Sequence, residues 1–286
     1  MKKIWVTGSR GQLGTELFLQ HKKLPDCNFL FTDIEELDLS RKELVLEFAQ
    51  REKPDILINC AAYNAVDKAE QEQATAFILN RDVPAYLTEA IASTGAVLIH
   101  LSTDYVFDGT AETPYVETDI PNPQSVYAKS KLAGEHEVLK SNRNIIIRTS
   151  WLYSAYGNNF VKTMLRLGKE RDEINVVADQ FGTPTRAKDL ANAILQIIRK
   201  LNTSTENFGG IYHYSNEGIC SWYDFAIEIM KFAQFNCKII PQSYMQYPSL
   251  AKRPVYSVLS KEKIKNTFNI DISEWRNSLV EHMAES

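Results

Sequence analysis

The chain is poor in the features that mark several protein classes. It has four cysteines, Cys27, Cys60, Cys220 and Cys237. None forms a Cys-x-x-Cys pair and none stands near a histidine at zinc-ligand spacing, which leaves buried reduced thiols in a cytoplasmic protein. No stretch approaches the ~18 consecutive apolar residues of a membrane span. The apolar run at the N-terminus ends at Thr7-Gly8, shorter than the ~7–15 residues of a signal-peptide core. Lysine and arginine are scattered and the net charge is -4, so the basic stripe that nucleic-acid binding uses is missing. There is no internal repeat and no low-complexity tract, which argues against disorder.

What is there is ordinary globular material: 286 residues, 44% apolar and 24% charged. That is enough for one large α/β domain or two lobes on a shared core. Short apolar runs at Lys3–Thr7, Asn28–Thr32, Asp55–Asn59, Val97–Leu101, Asn144–Arg148 and Gly210–Tyr214 read as strands. Between them, Gln12–Gln20, Leu44–Arg51, Ala74–Ser93, Ser125–Lys140 and Leu190–Leu201 read as helices. Near-continuous apolar strands alternating with helices predict a parallel sheet covered on both faces, the Rossmann-type doubly wound α/β fold. After Arg148 the regularity drops and aromatics, proline, glycine and asparagine increase. Residues 1–150 and 186–215 are therefore expected to form the dinucleotide-binding core. Residues 151–185 and 216–286 are expected to form a smaller, discontinuous C-terminal substrate lobe over the carboxyl ends of the strands.

The first strand runs into Thr7-Gly8-Ser9-Arg10-Gly11-Gln12-Leu13-Gly14. In such a turn Gly8 bends the chain off the strand, Gly11 lets backbone approach a pyrophosphate, and Gly14 lets the helix pack against the sheet. The helix N-terminus then offers free N–H groups and a positive dipole end. Asp33 closes the second strand, where an acid bonds the adenosine ribose hydroxyls and favours NADH. Arg10 pulls the other way, because it can reach a ribose 2′-phosphate, so NADH and NADPH both stay open. Asp38-Leu39 is a candidate flank for the adenine, and Ala61-Ala62-Tyr63 after the third strand lets a ligand lie against backbone.

Tyr127 and Lys131 stand at i and i+4, on one helical face. An ammonium beside a phenol is expected to lower its pKa, and a phenol so tuned can protonate a forming alkoxide. The helix follows a strand ending Leu101-Ser102-Thr103-Asp104, and Ser102 or Thr103 is placed to hold the substrate oxygen.

The glycine turn, the Ser-Thr-Asp strand end and Tyr-x-x-x-Lys, in that order, resemble the extended short-chain dehydrogenase/reductases. Finer segments are similar to the dTDP-4-dehydrorhamnose reductase family within them: 65–70, 102–109, 126–135, Arg148–Tyr153, Gly157–Phe160, Asp179–Thr185 and Arg253-Pro254. The resemblance implies reduction of a dTDP-4-dehydro-sugar by NADPH or NADH. It implies a catalytic trio of Thr103, Tyr127 and Lys131, with cofactor contacts from Gly11-Gln12-Leu13, Asp38-Leu39 and Ala61-Ala62-Tyr63. Thr103, Asp104 and Trp151 would contact the sugar nucleotide, Arg253 the diphosphate, and a homodimer is among its implications. Sugar-nucleotide dehydratases of the superfamily carry an acid after Thr-Asp, where this chain has Tyr105, which favours simple reduction. Some family members bind magnesium through glutamates. Glu16 matches one of these, but Lys188 stands where another would be, which argues against the ion. Two alternatives stay open. One is a nucleotide-binding regulatory role like that of the regulatory subunit of methionine adenosyltransferase, which resembles the same reductases. The other is a reductase or epimerase of another sugar nucleotide.

Overall fold

The computed structural model describes residues 1–285. Among the described residues a six-stranded parallel sheet forms from β1 (Lys2–Thr7), β2 (Cys27–Thr32), β3 (Ile56–Asn59), β4 (Val97–Thr103), β5 (Ile145–Thr149) and β6 (Gly210–His213). Its order is β6-β5-β4-β3-β1-β2. The chain leaves β1 towards one edge and returns through β3 on the other side of β1. The crevice beyond the carboxyl ends of β1 and β3 is therefore the topological switch point, where open α/β sheets bind ligands.

Alternation along the strands sends side chains to both faces. Ile4, Val6, Ile56, Ile58, Ile99 and Ile147 meet Leu13 and Leu17 of α1 (Gln12–Gln20) and Leu190, Ile194 and Ile197 of a long helix, Ala187–Thr203. Trp5, Leu57, Leu98 and Ile146 face the other way, onto Val45 and Ala49 of α2 (Lys42–Glu52) and onto Val83, Leu87 and Ile91. Both faces are dry, so the strands can be apolar throughout.

The structure adjusts several sequence-based boundaries. The strand expected to stop at Leu101 continues through Ser102 and Thr103, which pair with Arg148 and Thr149. The helix expected over 74–93 starts at Gln73, carries one π turn at Ile78–Asp82 and ends at Ile91. π turns recur at functional sites. This one presents Asn80, whose amide donates to Tyr63 O and Ser130 Oγ, while its carbonyl oxygen accepts Tyr63 N.

The irregular second half holds helices that the sequence reading left out: Phe160–Glu170, Trp222–Ala233, Glu262–Phe268 and Trp275–Glu285. They surround a second core of Tyr153, Val161, Met164, Phe225, Ile229, Trp275 and Leu279. Among the described residues no helix is long and apolar enough to cross a membrane.

Candidate active site

The cleft begins where β1 ends. Thr7 Oγ1 donates to Asn59 Oδ1 at 2.7 Å and ties the two strand ends at the switch point. Gly8 turns the chain with a left-handed φ of 63°, and a Cβ there would stand 2.6 Å from the Ala61 nitrogen. A Cβ on Gly14 would stand 2.3 Å from Gly8 O. Both positions therefore exclude any side chain. Gly11 caps α1 with no side-chain hydrogen bond, which leaves the first-turn N–H groups to an external anion. A backbone cradle that any Cβ would fill, at a helix N-terminus on the switch point, fits a dinucleotide pyrophosphate.

A cleft of about 500 Å³ opens from this turn. Its walls bring together Gly11, Gln12, Leu13, Gly14 and Ala62 with Thr103, Asp104, Tyr127, Lys131 and Trp151. Gly8, Arg10, Asp33, Asp38, Leu39, Ala61, Tyr63 and Arg253 do not line it. At the β2 end, the Asp33 carboxylate accepts Arg10 N at 2.8 Å and Ile34 N at 2.9 Å. The Arg10 guanidinium pairs with Glu35 and Glu36 on the surface. Asp38 accepts Ser40 N and Oγ, Leu39 packs against the core, and the Tyr63 hydroxyl donates to Glu72.

The catalytic candidates come from β4 and from the helix Val126–Val138, here α3, whose N-cap Ser125 accepts Ala128 N. Tyr127 and Lys131 are buried on its inner face. Of the two hydroxyls left open by the sequence, Thr103 belongs to the cleft constellation. It donates to Asp104 Oδ1 at 3.1 Å, accepts Tyr105 N and stands beside the Tyr127 phenol. Ser102 also borders the cleft, but its hydroxyl donates to Glu135.

The expected electrostatics differ. Burial pushes the Tyr127 phenol up to about 12, with Thr103 acting against the rise. The ammonium that was to lower it is directed elsewhere: Lys131 Nζ donates to Leu101 O at 2.6 Å, and burial pulls it down to about 8. Tyr127 therefore stays fully protonated near neutral pH. Asp104 is buried, its Oδ2 has no hydrogen-bond partner, and burial raises its carboxyl to about 7.

Trp151 forms the opposite wall with a left-handed φ of 46°, a strained conformation for an indole residue. Its ring stacks on Trp222 with centroids 3.5 Å apart. Arg253 sits beside Tyr105 and pairs with Asp67 while bonding Ser249. Glu16 is buried and its carboxyl is raised, chiefly through that burial, and Lys188 pairs with Glu285 nearby. Among the described residues no group of three or more His, Cys, Asp or Glu could hold a metal ion.

Three residues escaped the sequence reading. Trp222 carries no local signal, because its partner is 71 positions away (222 − 151). Asn159, within a segment noted above, is an N-cap whose amide also donates to Gln12 Oε1 at 2.9 Å, locking α1 to the second half of the chain. Asn80 needed the π turn to become visible.

A glycine cradle at the switch point, with a buried Tyr-x-x-x-Lys pair across the same cleft, defines the Rossmann-type extended short-chain dehydrogenase/reductase class. Within that class the chain belongs to the RmlD substrate binding domain family, whose model matches residues 1–286. It is 44% identical over 98% of its length, and 97% of the other's, to a dTDP-4-dehydrorhamnose reductase of Aggregatibacter actinomycetemcomitans. Among solved structures it is similar to a dTDP-4-dehydrorhamnose reductase from Clostridium acetobutylicum, with TM-score 0.92, 43% identity and 99% of both chains covered. It is also similar to one from Bacillus anthracis in complex with NADP, with TM-score 0.92, 38% identity and 100% of both chains covered.

Proposed function

We propose that this chain reduces the 4-keto group of dTDP-4-dehydro-L-rhamnose to give dTDP-L-rhamnose, using NADPH or NADH. The observation that carries the reading is the single cleft in which Thr103, Tyr127 and Lys131 face the glycine turn. The dinucleotide, when bound, supplies the hydride that adds to the sugar carbonyl carbon. The chain supplies the proton. Tyr127, protonated because burial holds its phenol at about 12, gives its hydroxyl proton to the oxygen as that oxygen becomes an alkoxide. Thr103 orients the oxygen towards the phenol. Lys131 holds the nicotinamide ribose.

Gly11–Leu13 and Ala62 hold the cofactor backbone, with Asp33, Arg10, Asp38, Leu39 and Tyr63 at the adenosine end. Residues 151–185 and 216–286 form the substrate lobe on a core of 1–150 and 186–215. Trp151 and Asp104 contact the sugar, and Arg253 meets the diphosphate once it leaves Asp67, a pairing suited to a guanidinium. The cysteines, free of disulfides among the described residues, suit the reducing cytoplasm.

The test is oxidation of NADPH and NADH, followed by absorbance, over dTDP-, UDP-, GDP- and CDP-linked 4-keto-sugars. The dTDP compound should give the highest kcat/KM. A different preferred nucleotide would redirect the reading to another sugar-nucleotide reductase. No oxidation at any substrate level would replace it with a nucleotide-binding regulatory role.

A further inference from the structure

Beneath the cleft lies a buried ionic centre that the chemistry above leaves unused. Glu135 follows Lys131 by one turn on α3 and is 1% exposed, as is Arg148 on β5. The carboxylate accepts Arg148 Nε at 2.9 Å, Arg148 Nη2 at 2.7 Å and Ser102 Oγ at 2.5 Å. Arg148 also lies over the Phe107 ring, 5.1 Å from its centroid. A buried ion pair is weak evidence for stability, since desolvation offsets its attraction. Its position is the informative part.

Ser102 and Arg148 are cross-strand partners, and both reach down to the same carboxylate. Side chains alternate along β4, so Ser102 points to the helix while Thr103 turns to the cleft. The residue before Ser102 carries the carbonyl that receives Lys131 Nζ. Two groups of the active site, the Lys131 ammonium and the Thr103 hydroxyl, thus hang from the strand end that Glu135 grips. We propose that Glu135 is a positioning residue, fixing the end of β4 and through it the Lys131 ammonium and the Thr103 hydroxyl. The assignment rests on the catalytic reading above.

Lys131 faces Glu135 from its own helix, Cys60 from the end of β3, and His100 and the Leu101 carbonyl from β4. Burial pulls the ammonium down, and the negative charge of Glu135 is the main opposing influence. Glu135→Gln keeps the shape and removes the charge, so Lys131 loses its proton at lower pH. Reduced-dinucleotide affinity, read by cofactor fluorescence from pH 6 to 10, should weaken on the alkaline side about one pH unit earlier than in the unaltered chain. Ser102→Ala keeps the charge and removes the grip. Its alkaline limb should stay in place while kcat falls about 10-fold, and Ser102→Thr should restore turnover.

An unshifted limb in folded Glu135→Gln overturns the proposal. Should that variant fail to fold, unchanged kcat in Ser102→Ala overturns it. The fluorescence profile needs no turnover. A shifted limb in a chain that reduces no keto-sugar would remove the catalytic reading and leave the grip on Lys131 standing.

Discussion

The cofactor wall of the cleft is backbone contributed by close chain neighbours, whereas the wall across from it is side chains gathered from distant parts of the chain, from Thr103 to Trp222. On the first wall, Gly11 and Gly14, with Gly8 in the turn behind them, act by what they lack, and their spacing within one turn and one helix start is all the geometry requires. On the second, Trp151 stacks on Trp222, far along the chain, while Arg253, outside the cleft, is held by Asp67 and Ser249. Such a division suits a fold that keeps one cofactor while its substrate pocket is free to change.

The contrast can be broken most sharply at Gly14. Gly14→Val puts a side chain where Gly8 O lies 2.3 Å from a Cβ, so turn and helix must separate. Dinucleotide affinity should fall by about 100-fold or more, with about 1–3 kcal/mol of stability lost in denaturant titration. Retained affinity would mean that the cradle does not hold the pyrophosphate. Trp222→Ala tests the other wall. It frees the strained Trp151 ring, and the substrate KM should rise about 10-fold while dinucleotide affinity holds. Equal loss of both would show that the two walls are one unit.

A smaller effect comes from Asp104, the buried acid between them. Burial holds its folded pKa at about 7, well above the ordinary aspartate range, so the stability it contributes is full below about pH 4 and declines as pH rises towards 7. Asp104→Asn carries no such titration. The melting-temperature difference between variant and unaltered chain should therefore grow in the variant's favour from pH 4 to 7 and level off above. A difference constant across that range would contradict the buried, ionisable state.

What the sequence revealed follows the same division. The sheet strands and the glycine turn were legible because each is a local pattern: a short apolar run, or glycines at fixed offsets. Tyr127 and Lys131 were legible as a helical pair, yet their electrostatics were not. The carbonyl that takes Lys131 Nζ belongs to Leu101, 30 positions away, and only the parallel pairing of β4 and β5 brings strand and helix together. The helices of the second half escaped for a different reason. Their start signals are present, Asn159 capping one and a Ser221–Asp224 capping box opening another. The aromatics around them instead read as irregular pocket lining. Most of those aromatics prove to be core, with Phe225 and Trp275 edge to face at 5.6 Å, while Trp151 and Trp222 reach the cleft.

Reduction requires Tyr127 to give up its proton within the cleft, and Tyr127→Phe tests that with one atom removed. Dinucleotide affinity should stay within about twofold of the unaltered chain while kcat for the dTDP-4-keto-sugar falls about 10²–10⁴-fold. A variant that binds cofactor and still turns over at the original rate would contradict it.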